Sequence, residues 1–136
     1  MGTPGRTENC TRADALVRLQ HARAFIEVAE FVLGTDDELA LPQVSASLAV
    51  LSGIAACDAV CCARVRQRSR GQSHWQAIEL LRTVTDAPKA MTHDLRRLLD
   101  VKDGAHYSSM MVTPAEARDS VRRARRLYDA AVALVK

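Results

Sequence analysis

The longest apolar pattern in the chain runs from Pro42 to about Gln67, as PQVSASLAVLSGIAACDAVCCARVRQ. Apolar or small side chains lie all round it, and up to Ala63 its only charged residue is Asp58. A helix that is apolar on all sides is buried on all sides. The length of the run and its Ala and Leu content favour helix over strand. This helix is therefore expected at the centre, with the rest of the chain packed around it.

Residues 1–10 contain two glycines, a proline and mostly polar side chains, and read as a disordered leader. A first helix is expected from about Thr11 to Leu33. Ala15, Leu16, Leu19, Ala22, Ile26, Ala29 and Leu33 recur there at three- and four-residue steps, and Gly34 supplies the stop. Pro42 suits the first turn of the central helix. Ser73 and Gln76 have the spacing of a capping box, which opens a short helix ending at Leu81 or Val84. Asp86, Ala87 and Pro88 open a fourth helix with the stripe Met91, Leu95, Leu98, Leu99, Lys102 and His106. Thr113, Pro114 and Glu116 give the last helix a cap, a first-turn proline and a capping-box acid. Its inward stripe is Ala117, Val121, Ala124, Leu127, Tyr128, Ala131 and Leu134, and arginines cover most of the rest. The expected fold is all-α, an up-and-down bundle of four main helices plus one short helix. Residues 11–136 form one domain.

Composition sharpens this in three ways. Hydrophobic residues make up 48% of the chain but aromatics only 4%, so the core is built from Ala, Val and Leu. A net charge of +3 is too small to imply nucleic acid by itself. The most apolar run, Ala46 to Val60, is interrupted by Ser47, Ser52, Gly53 and Asp58, so no membrane span is expected. No signal-peptide core opens the chain, and a cytoplasmic setting is the default expectation.

Several residues are candidates for chemistry. Cys57 and Cys61 lie one helical turn apart and could pair on a metal or in a redox couple. With no CxxC and no matching histidine pair, small buried core residues are the simpler reading of Cys10, Cys57, Cys61 and Cys62. Arg64, Arg66, Arg68 and Arg70 end the central helix. They either complement its dipole or bind phosphate. Asp58 needs a partner if buried, and Lys102 or an arginine of the last helix is expected to supply it. His74 opens the short helix in a capping or surface role, close to the basic turn. Lys102 and His106 share one helix face at the end of an apolar stripe. Such a pair can hold a phosphate and move a proton.

The long apolar helix, the short helix after a basic turn, and KDGAHY before a capped final helix resemble HEPN domains, the higher eukaryote and prokaryote nucleotide-binding domains. The resemblance covers about Thr11 to Val135. Many members are metal-independent ribonucleases with an arginine, four to six intervening residues, and a histidine. They often dimerise so that two motifs share a cleft, and several are toxins paired with a nucleotidyltransferase antitoxin. The resemblance implies His106 as the catalytic histidine, Lys102 in place of the motif arginine, and Asp103 as the adjacent polar residue. Lys102 stands only three residues before His106 and lacks the planar fork of arginine. Asp58, Arg66, Arg68, Arg70, His74 and Tyr107 would line the substrate side. In some members a tyrosine near the motif is modified by the partner enzyme. RNA or a nucleotide, a homodimer mate and an antitoxin are the implied partners, with no metal or cofactor. The alternative is a non-catalytic module that binds a nucleotide or a protein.

Overall fold

The structure, a computed structural model, describes residues 7–70, 74–107 and 111–136, with 104–107 as helical backbone only. Five helices follow in order: α1 (Arg12–Leu33), α2 (Pro42–Val65), α3 (His74–Arg82), α4 (Lys89–Tyr107) and α5 (Pro114–Val135). The chain is an all-α helical bundle of four long helices and one short one.

The helix ends follow from local chemistry. Thr11 Oγ1 accepts from the Asp14 amide while the Asp14 carboxylate accepts from the Thr11 amide, a reciprocal cap that starts α1. Thr113 and Glu116 repeat the arrangement at α5. The Gly34 amide donates to carbonyls of the last turn of α1. The expected Ser73 cap of α3 lies outside the described residues.

Helix α2 runs through the middle, against α1 on one side and α5 and α4 on the others. Ala46, Ala49, Ala55, Ala56, Ala59 and Val60 are buried along it, and small side chains let the neighbouring helices approach. At Gly53 the approach is closest: a Cβ there would stand 2.5 Å from Leu98 Cδ1 and 3.2 Å from Leu127 Cδ1. Ser52 Oγ donates to the Ala22 carbonyl at 2.7 Å, which gives the buried hydroxyl a partner on α1. Large side chains complete the core, among them Ile26, Leu81, Leu95, Leu98 and Leu127. Each stabilises the fold by about 1.5–3 kcal/mol through burial. Val44 and Leu51 nevertheless face outward, so α2 is not covered on every side.

Three expectations change. Helix α2 is long and apolar enough, by length and composition, to cross a membrane: its hydropathy averages 1.8 over the most apolar window. The isolated polar residues do not prevent this. Here 67% of that window is buried against the other helices, as in the core helix of a bundle. The leader is ordered from Thr7. Thr7–Asn9 forms strand β1, which pairs antiparallel with β2 (Gln67–Ser69) in the register Glu8↔Arg68. Cys10 and Cys62 are joined by a disulfide, so only Cys57 and Cys61 are free thiols. This small ribbon beside the end of α2 is all the sheet among the described residues.

Candidate functional site

The KDGAHY segment forms the last turns of α4. Lys102 is half-buried and Asp103 exposed on that turn. The side chains of His106 and Tyr107 lie outside the described residues. Across the gap, His74 is the first residue of α3, and its Nδ1 stands 3.4 Å from Asp103 Oδ2. Two residues chosen separately from the sequence are thus brought together by the packing of α3 on α4. A carboxylate on one ring nitrogen fixes the imidazole's orientation and leaves Nε2 to exchange a proton. His74 is partly buried, and Lys102 sits beside its carboxylate partner in sequence.

Asp58 is not part of this group. Its partner is Arg18 of α1, whose Nη2 donates to Asp58 Oδ2 at 3.0 Å. The expectation of Lys102 or an α5 arginine fails because Asp58 meets α1, where Arg18 reaches it. Burial pushes the Asp58 carboxyl up from its ordinary value, and Arg18 pulls it back only in part. The cavity beside Asp58, shared with Cys57, Cys61, Ser69 and Leu95, measures about 20 Å³. That is room for about one water molecule, not for a substrate. Burial raises the Cys57 thiol well above its ordinary value and pushes Cys61 up to about 12. Both stay protonated near neutrality, unsuited to metal binding or nucleophilic attack. No group of three or more metal-ligating side chains occurs among the described residues.

Three of the four arginines of the basic turn reach a carboxylate. Arg64 pairs with Asp86 at 3.1 Å. Arg68 and Arg70 both reach Glu8 on β1. Arg66 takes a left-handed backbone with φ of 58° that turns the chain out of α2, and its guanidinium faces the Cys62 carbonyl. Of these four, Arg64 and Arg66 stand at the end of α2, whereas Arg68 lies on β2 and Arg70 follows it. The signal overlooked in the sequence is Glu8, which register alone aligns with Arg68.

Four of the five arginines of α5, all but Arg118, are likewise paired. Arg123 and Arg126 both donate to Asp94, a carboxylate only 3% exposed on α4. Arg125 pairs with Glu30 of α1. Asp94 was legible in principle, since it falls on the Met91–Leu95–Leu98 stripe. Arg18 likewise falls between Ala15 and Ala22 on the buried face of α1.

No family model matches the chain, and no curated protein matches it closely enough to count as a relative.

Proposed function

We propose that this chain is an HEPN-like domain that cleaves RNA without a metal ion. The observation that carries the reading is the His74–Asp103 contact at the motif end of α4. In this reading His74, oriented by Asp103, takes the proton from a ribose 2′-hydroxyl. The freed oxygen attacks the adjacent phosphorus, and the P–O bond to the 5′-oxygen breaks. His106 returns a proton to that leaving oxygen. Lys102 holds the non-bridging oxygens as a point charge. The product ends are a 2′,3′-cyclic phosphate and a free 5′-hydroxyl. Arg64, Arg68 and Arg70 do not guide the strand unless Asp86 and Glu8 release them.

The same reading places the protein in the cytoplasm as a homodimer with the His106 ends near the two-fold axis. A nucleotidyltransferase antitoxin would be its partner. Met111, 83% exposed just after the motif, supplies adaptable apolar surface for such pairing.

A second reading is a non-catalytic module for a nucleotide or protein. The occupation of Arg68 and Arg70 by Glu8 favours it. RNA cleavage by the purified protein, with and without chelator, separates the two. Activity that survives chelator and falls by about 10²-fold or more in His74→Ala and His106→Ala supports the ribonuclease. Absence of cleavage by the wild type, or equal rates in the variants, leaves the binding module.

A further inference from the structure

Where α3 ends and α4 begins, the surface opens into a cleft of about 500 Å³. That size falls among small-ligand sites. Leu81, Val84 and Ala87 give it an apolar floor. Arg82 approaches from α3, while Lys89, His93 and Arg96 come from α4. The α4 residues are spaced at four and three, so they share one helix face. Thr85 and Thr92 add hydroxyl groups, and no carboxylate lines the cleft.

Most arginines elsewhere on the bundle are paired, whereas this cleft gathers several cations and no carboxylate. Arginines 18, 64, 68, 70, 122, 123, 125 and 126 all end on carboxylates. Among the described residues, Lys89, His93 and Arg96 make no ion pair. Arg82 is held by Glu79 at 2.9 Å and lies 5.8 Å over the ring of Trp75. The unpaired cations Lys89 and Arg96 of α4 therefore face the same concave surface as Arg82 of α3, whose guanidinium is shared with Glu79. Several cations around one cavity suit a multiply charged oxyanion. The apolar floor suits an organic body attached to it.

We propose that this cleft binds a small phosphorylated organic molecule of about mononucleotide size. Its phosphate meets Arg82, Lys89 and Arg96, and its body rests on Leu81, Val84 and Ala87. The site is separate from the His74–Asp103 pair. Arg96 and Asp103 are seven residues apart on α4, about 10 Å along the axis. The inference does not rest on the ribonuclease reading.

Trp75 is the only tryptophan and reports on Arg82, so its fluorescence follows occupancy. Adenosine 5′-monophosphate, adenosine, inorganic phosphate and a single-stranded RNA oligomer are titrated into the full chain, with calorimetry in parallel. The monophosphate is expected to saturate the site. Adenosine and phosphate alone should each bind at least about tenfold more weakly. The Lys89→Glu/Arg96→Glu variant should lose at least about tenfold in affinity, and Arg118→Glu on α5 should not. These positions are exposed, and circular dichroism checks that the variants fold. Three results overturn the proposal: no saturation by the monophosphate, equal binding of phosphate alone, or tighter binding of the RNA oligomer through the same residues. Should the double variant not fold, Arg96→Ala and the ligand comparison on the wild type decide it.

Discussion

Arg18 and Asp58 meet at 3.0 Å across the α1–α2 interface, each mostly shielded from water. Burial raises the Asp58 carboxyl above its ordinary 3.8, and the Arg18 charge opposes this without cancelling it. A raised folded-state pKa means that this group's stabilising contribution is full below 3.8 and is lost as pH rises through the folded value. Arg18→Met removes the opposing charge and raises the carboxyl further. The variant is expected to lose about 2 kcal/mol at neutral pH, less than a fully buried pair because some solvent reaches both groups. The gap to wild type should narrow on acidification, as Asp58 takes up its proton. Thermal melts at about pH 7 and about pH 5 check the sign, and a gap that widens toward acid refutes it.

Asp94 anchors α5 to α4. Asp94→Ala leaves the Arg123 guanidinium, itself mostly buried, with Asp119 as its remaining partner at 2.8 Å. The expected cost is about 3 kcal/mol, the lower end for breaking a buried pair. Asp94→Asn keeps two acceptor lone pairs and should cost less. Denaturant unfolding of both variants measures the difference, and equal losses would point to packing as the cause.

The Cys10–Cys62 bridge closes a loop with a sequence separation of 52. Reduction by a dithiol converts it to two thiols and frees the unfolded chain, a loss of about 4 kcal/mol of stability if the effect is entropic. The Cys10 amide also donates to the Arg66 carbonyl, so β1 loses its tether to the end of α2. Both reduction and Cys10→Ser should lower the melting temperature. Amide exchange at Thr7–Asn9 should quicken. An unchanged melt with dithiol would show that the helices alone carry the stability. A reducing cytoplasm would favour the opened form.

Gly53 is required by the meeting of α2, α4 and α5. Gly53→Ala gains helix propensity, worth about 1 kcal/mol, but drives a methyl group toward Leu98. Leu98 is fully buried and has little room to turn. Overpacking of this kind costs about 1–3 kcal/mol, so net destabilisation is expected. Leu98→Ala should cost less in the Gly53→Ala background than in the wild type, a coupling that a double-mutant cycle would show.

The sequence by itself determined the helices. Their boundaries rest on interactions within a few residues, namely the Thr11 and Thr113 capping boxes, Gly34 and the two first-turn prolines. The central place of α2 was equally legible, because a side chain's wish to leave water does not depend on which neighbour covers it. Only the tertiary structure decided who meets whom. Asp58 chose Arg18, 40 residues away, and Arg68 chose Glu8, 60 residues away. His74 met Asp103 for the same reason. Ion pairs and disulfides depend on distances of a few ångströms between remote segments, and periodicity carries no such information. The cleft between α3 and α4 belongs to this second class. Its cations were plain in the sequence, but that Lys89 and Arg96 lack carboxylate partners and share one concave surface with Arg82 became visible only in the packed structure.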